Sequence, residues 1–121
     1  MTTVIMSVYE TEESFLEVRD QLLAGGFEPA QVQSLRSGPP HEGGFVYQES
    51  AEGDPAHISR RQARELLTDQ EFEAWEVEDA LTKVAADQYL LVVRSGDELA
   101  GRGVEILNEE PAVEQRREDS Y

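Results

Sequence analysis

The residues of this chain that could do chemistry begin with its two histidines, His41 and His57. The segment between them carries four carboxylates, at Glu42, Glu49, Glu52 and Asp54. Imidazole and carboxylate groups together can bind a divalent metal or exchange protons with a substrate. The metalloenzyme spacings H-E-x-x-H and H-x-x-E-H do not occur in the sequence. We therefore predict exposed loop histidines with no metal and no cofactor, and keep acid–base catalysis by this loop as an alternative.

A small arginine cluster follows the second histidine. Arg60 and Arg64 are four residues apart, so on a helix they share one face. Two guanidinium groups on one face can bind an anion or an acidic segment of a partner. Ion pairing with Glu65, with Asp69 or with the acidic helix that follows is the interpretation that we expect.

Two aromatic residues three positions apart, Phe72 and Trp75, lie in an acidic stretch over residues 71–79. We predict that both rings fill the core between a helix and the sheet. The alternative is that Trp75 is an exposed anchor at a partner interface, where tryptophan is enriched. The acidic stretch is either a solvated helix face or a binding stripe for a basic partner.

The charge of the chain limits its partners. Its 121 residues include 26 acidic and 10 basic ones, for a net charge of −16, and Lys83 is the only lysine. Such a surface repels phosphates, so we expect no binding to nucleic acid or to anionic membranes. The acidity fits either an ordinary solvated surface or a halophilic protein of a salt-rich cytoplasm, where repulsion is screened.

Cysteine is absent, which removes disulfides, thiolate metal sites and cysteine nucleophiles. The first residues show no basic segment followed by a long apolar run, so we predict no signal peptide. No stretch approaches the roughly 20 apolar residues of a membrane span. We expect a cytoplasmic protein.

The two ends of the chain have similar sequence patterns. The elements that they form must position the candidate histidine, arginine and tryptophan side chains. Apolar runs at Val4–Tyr9 and Tyr89–Arg94 predict strands, and each is followed by an amphipathic segment with acidic residues at its start. We predict the order β-α-β-loop-α-α-β-α-β, with a loop over residues 37–57 that could hold a short strand at 45–47. This order favours an α/β (α+β) ferredoxin-like sandwich, with an antiparallel sheet and helices mainly on one face. Residues 1–115 would form a single domain, and residues 116–121 a charged tail.

The predicted opening and closing units resemble a known family. Val4–Tyr9, the acidic helix start at Glu12 and Glu13, and the Leu22–Phe27 segment with its Gly-Gly-Phe exit resemble the opening of the bacterial heat-induced general stress proteins (the YflT-type domain). The strand at 91–94 and the helix that follows it are similar to the closing unit of that family. The resemblance covers about residues 3–36 and 88–115. It implies a small stress-linked α/β protein and carries over no catalytic residues.

From these patterns we expect a small, non-enzymatic, stress-associated binding or regulatory protein. An uncovered sheet face or edge would make it a homodimer. Two alternatives stay open: a small-molecule-binding domain or enzyme that uses the 37–57 loop, and an acidic adaptor that binds a protein partner. An enzyme would hold a histidine in a pocket against a carboxylate, whereas an adaptor would expose Trp75.

Overall fold

A computed structural model describes residues 2–39, 43–70 and 72–120 of the chain. The described residues form six strands and four α-helices. The strands are β1 (Thr2–Tyr9), β2 (Val32–Ser37), β3 (Phe45–Gln48), β4 (Ala56–Ile58), β5 (Tyr89–Gly96) and β6 (Glu114–Ser120). The helices are α1 (Glu12–Ala24), α2 (Arg60–Thr68), α3 (Ala74–Ala85) and α4 (Asp97–Leu107). No helix of the described residues is long and apolar enough to cross a membrane.

The strands form one open, antiparallel sheet in the order β4-β3-β2-β5-β1-β6. The long strands β1 and β5 pair along their whole length, from Thr2 opposite Gly96 to Tyr9 opposite Tyr89. Because β5 lies between β1 and β2, those two strands run parallel to each other. In the same way β5 and β6 run parallel with β1 between them. The mixed α/β class and the antiparallel sheet that the sequence predicts are confirmed.

Helices cover both faces of the sheet, so the expectation that they lie mainly on one face is wrong. Val4, Met6 and Val8 of β1 pack with the buried residues of α2 and α3. Ile5 and Tyr9 point to the opposite face and pack with α1 and α4. The cause is visible in the sequence: β1 and β5 are nearly continuous apolar runs, and such a strand must bury both of its faces.

The segment predicted as a loop over residues 37–57 contains strand β3 and most of β4. β3 pairs with β2, with Leu35 opposite Tyr47, and β4 pairs with β3, with Val46 opposite His57. Phe45 is buried in the core on the α2–α3 side of the sheet. The possible strand at 45–47 is present as β3, whereas β4 extends the sheet beyond the predicted strands.

The predicted tail at 116–121 is also wrong over its described part, because residues 116–120 belong to β6. This strand pairs with β1 from Val8 opposite Glu114 to Thr2 opposite Ser120. The Thr3 hydroxyl donates a hydrogen bond of 2.8 Å to Asp119. β6 is polar because it is an edge strand, and edge strands commonly carry charges. Its composition therefore gave no apolar signal.

One buried hydrogen bond fastens β1 to the end of α4. The Tyr9 hydroxyl donates to the main-chain oxygen of Leu107 at 2.5 Å. That oxygen lies in the last turn of α4, where carbonyls lack helical partners. Burial raises the pKa of Tyr9 to about 12.

We expect Tyr9→Phe to lower the free energy of unfolding by about 1–3 kcal/mol, because it leaves a buried acceptor unsatisfied. Urea unfolding at neutral pH measures this, with Tyr89→Phe as the control of matched chemistry.

The raised pKa means that unfolded Tyr9 ionises near pH 10 while folded Tyr9 stays protonated to about 12. Wild-type stability should therefore fall between these pH values, and Tyr9→Phe should lessen the fall. An equal alkaline loss in both proteins would contradict this assignment.

Candidate functional site

His57 lies on strand β4, at the edge of the sheet, and is exposed. Its Nε2 lies 2.9 Å from the main-chain oxygen of Gly43, which fits Nε2–H as the donor. His57 also lines an open groove of about 450 Å³ with residues of β3, β4, α2 and α3. The described lining residues of this groove include no carboxylate. The other predicted histidine, His41, lies outside the described residues.

The arginine cluster braces two helices. Arg60 donates to Glu78 at 3.3 Å, and Arg64 donates to the other oxygen of the same carboxylate. Arg60 also donates to the hydroxyl of Thr82 at 3.3 Å. The hydrogen bond from Arg64, aided by that from Arg60, lowers the pKa of Glu78. Both candidate residues thus pair with the acidic helix, one of the partners that the sequence favoured, through Glu78. Glu65 pairs with Arg61 instead.

Trp75 is not in the core, contrary to the first expectation. Its side chain is 58% exposed, whereas Phe72 is buried. The reason is local: α3 begins at Ala74, so Phe72 precedes the helix and the two rings do not share a helix face. The exposed position matches the alternative in which Trp75 anchors a partner.

Two side chains hold the exposed indole in place. The guanidinium of Arg116 lies over the ring, 4.8 Å from its centroid. The indole Nε1–H donates to a carboxylate oxygen of Glu73 at 2.9 Å. Stacking of a cation on an exposed tryptophan contributes about 0.5–1 kcal/mol. Trp75 therefore has a defined orientation although it faces solvent.

Behind the indole, an ion-pair network links α3 to β6. Arg116 contacts Glu114 and lies 3.7 Å from Glu76. Lys83 lies 2.7 Å from Asp79 and 3.2 Å from Glu114. The hydrogen bond to Asp79 raises the pKa of Lys83 and lowers that of Asp79. The network fixes β6 and the base of the Trp75 side chain relative to each other.

Arg116 is not among the predicted site residues, because it lies in the segment predicted to be a tail. A usable signal exists: residues 114–119 contain no glycine or proline, and their charges alternate at every second position as Glu114, Arg116 and Glu118. A segment without glycine or proline is compatible with a strand. Within the described residues, no group of three or more histidine, aspartate or glutamate side chains could hold a metal ion.

Comparison of the chain with family models, with characterised proteins and with solved structures finds no match.

We expect Glu78→Gln to destabilise the protein at neutral pH, because Arg60 and Arg64 lose their shared partner. The pKa of Glu78 is lowered in the folded state, so its contribution is present above its ordinary pKa and disappears as pH falls through the folded value. Thermal unfolding from pH 7 to pH 3 measures this. Glu65→Gln, which removes only the exposed pair with Arg61, is the control and should change little. A variant as stable as wild type at pH 7 would show that the brace contributes nothing.

Proposed function

We propose that this is a non-enzymatic binding or regulatory protein of the cytoplasm that docks an extended, basic segment of a partner protein. The proposed docking surface consists of Trp75, Glu73, Arg116 and the outer edge of β6, and is called the Trp75–β6 surface below. The observation that carries the proposal is the exposed but fixed indole of Trp75.

The exposure of Trp75 is unusual within this protein. Among the described residues, the large hydrophobic side chains that are exposed are those of Trp75 and Val113. The other large apolar residues fill two cores, one on each side of the sheet. Tryptophan buries more area than any other side chain when a partner covers it, and it is common among residues that dominate binding energy.

The strand next to Trp75 can accept an extended segment. β6 lies at the end of the sheet and pairs with β1 on its inner side. An edge strand presents unpaired backbone N–H and C=O groups, to which another strand can add. In such complexes the backbone supplies affinity, and side-chain contacts supply specificity. Trp75 is placed to supply that contact because Arg116 of β6 stacks on it.

The charge of the surface favours a basic partner. The carboxylates of α3 already pair with arginine or lysine side chains, so the attraction of a basic partner comes from the charge of the whole chain. The net charge of −16 attracts cations over the whole surface and speeds their encounter. The same charge argues against nucleic acid as the partner.

Preorganisation adds to the case for binding. Binding loses affinity when side chains must be ordered at the interface, by about 0.5–1.5 kcal/mol for each flexible group. Trp75 is already held by Arg116 and Glu73, and Arg116 is held by Glu114. Much of that cost is therefore met in the free protein.

A second copy of the chain could also occupy the Trp75–β6 surface. We therefore also propose that the protein is a homodimer. The sequence led us to expect a dimer through an uncovered face or an uncovered edge of the sheet. Because helices cover both faces, the edges remain. Glu114, Arg116 and Glu118 share a side of β6. Antiparallel pairing of two copies about Arg117 would set Arg116 of each against Glu118 of the other.

The enzyme alternative has less support. It requires a histidine in a pocket against a carboxylate. His57 instead lies on an open groove with its Nε2 bonded to a main-chain oxygen. The groove could still take a small molecule, so His57→Ala is the variant that examines this alternative once an activity is assayed.

We also propose that β1, α1, β2, β5, α4 and β6 form a ferredoxin-like unit, into which β3, β4, α2 and α3 are inserted. Two features of the strand order support this. β5 lies in the sheet between β1 and β2 of the β1-α1-β2 unit, and β1 lies between β5 and β6 of the β5-α4-β6 unit. α1 and α4 pack on the same side of the sheet. The stress-linked role that the family resemblance implies is part of the proposal, and protein abundance after heat shock tests it.

We expect Trp75→Ala to weaken peptide binding by about thirtyfold or more, because it removes an anchor that contributes at least about 2 kcal/mol. The probe is a seven-residue peptide of alternating lysine and valine, matched to the length of β6. Trp75 is the only tryptophan, so its fluorescence follows binding to wild type. Calorimetry follows the variants.

Three controls accompany this measurement. Val113→Ala removes the other exposed apolar side chain and should leave affinity unchanged. A peptide with proline in place of valine keeps the charge but cannot add to a strand. Unfolding should show that Trp75→Ala costs about 1 kcal/mol or less, as expected for an exposed site. Equal binding of both peptides, or undiminished binding to Trp75→Ala, would contradict the proposal, and a dimer in sedimentation would favour the second copy.

The acidic surface leads to a further proposal, that the protein is halophilic. A hydrogen bond with Glu17, with added repulsion from Glu17, Glu13 and Glu109, raises the pKa of Glu110. The folded state therefore loses stability as pH rises through the folded pKa of Glu110, and the repulsion is present at neutral pH. Salt screens such exposed charges, since the Debye length falls from about 10 Å at 0.1 M to about 3 Å at 1 M.

We expect Glu110→Gln to raise the melting temperature at neutral pH in low salt, with a gain that shrinks in 1 M-range salt and on acidification. Calorimetric melts across a salt series measure this. Glu52→Gln, at an exposed loop position, is the charge-matched control. A gain that is the same at every salt concentration would mean that repulsion around Glu110 is not the cause.

A further inference from the structure

A second cavity, about 150 Å³ in volume, lies between α1 and strands β2 and β3. Ser34 and Arg36 of β2 stand opposite Gln48 and Val46 of β3, so all four side chains are on one face of the sheet. All four line the cavity, which α1 closes from the other side. The cavity is separate from the Trp75–β6 surface, since none of its described lining residues belongs to α3 or β6.

Arg19 of α1 is half-buried and lines this partly open cavity. Its Nε is buried and has no hydrogen-bond partner among the described residues. Its guanidinium lies over the ring of Phe15, 5.9 Å from the centroid, and both residues line the cavity. A buried charged donor that lacks an acceptor is unfavourable, and an anion in the cavity would supply one.

A second arginine, the exposed Arg36 of β2, lines the opposite side of the cavity. Within the described part of the chain, neither Arg19 nor Arg36 takes part in an ion pair. Five other arginines do: Arg60, Arg61, Arg64, Arg116 and Arg117. Glu12 is the one carboxylate among the described lining residues. In a chain with a net charge of −16, this is a local site of positive charge.

The rest of the lining indicates which anion fits. Phe15, Leu16, Val46 and Pro55 give the cavity apolar walls. Its volume equals that of about five water molecules at roughly 30 Å³ each. That space accommodates a carboxylate with a short hydrocarbon chain. Guanidinium groups bind carboxylates through paired hydrogen bonds.

We propose that this cavity binds a small organic carboxylate, held by Arg19 and Arg36 with its hydrocarbon chain against Phe15 and Val46. The described residues at the cavity carry no nucleophile with an adjacent base, so the inference concerns binding and no reaction. Occupancy would hold α1 against β2 and β3, which links the ligand to the stability of the sheet extension.

Butyrate is the probe, followed by NMR of the arginine side-chain Nε–H signals in uniformly ¹⁵N-labelled protein. We expect saturable shifts of the Arg19 and Arg36 signals, with the signal of Arg102 on α4 unmoved. Arg19→Gln and Arg36→Gln should each weaken butyrate binding by about tenfold or more, because each removes a charge-assisted hydrogen bond. Arg102→Gln should leave the affinity unchanged.

Formate and phosphate separate the possible anions. Formate lacks the hydrocarbon chain, and we expect it to bind more weakly than butyrate. Phosphate binding as tight as butyrate binding would overturn the carboxylate assignment. Shifts that do not saturate, or that move all arginine signals together, would overturn the site itself. The wild-type titration needs no variant, so a variant that fails to fold does not remove the test.

Discussion

The antiparallel pairing of β1 with β5 is the constraint on which the rest of this structure depends. The two strands are the longest of the sheet and lie between β2 and β6. Both carry buried apolar residues on both of their faces. Burial of apolar surface is the main favourable term in folding. A strand with two apolar faces can satisfy it only between two layers, so α1 and α4 must cover one side and α2 and α3 the other.

Because helices cover both faces of the sheet, the surfaces that can bind a partner lie at its two edges. With both faces covered, the short strand β4 and the polar strand β6 form the edges. Edge strands tolerate charge and expose backbone groups. Trp75 stands beside β6 because α3 is tied to that strand through Arg116 and Lys83. The arginine cavity arises at the other end, where β2 and β3 extend past the central pair and α1 closes over them.

The sequence predicts the strands and helices whose burial requires a regular spacing of apolar residues. The apolar runs of β1 and β5 and the capped helices are of this kind. It offers β3 only as a possible strand, misses β4 because three residues leave little pattern, and ends the closing strand too early because β6 is polar. It places Trp75 in the core by assuming that Phe72 shares its helix, whereas α3 begins only at Ala74. The contact of Arg116 with Trp75 depends on the register of β6 against β1, which no local pattern records.

Docking at the free edge of β6 is the central claim, and hydrogen exchange tests it most directly. The outward-facing amides of β6 should exchange quickly in the free protein, because their groups are unpaired. Addition of the alternating lysine–valine peptide should slow the exchange of those amides and shift the indole signal of Trp75. Protection that appears along β4 instead, or no change in β6 at saturating peptide, would contradict the account.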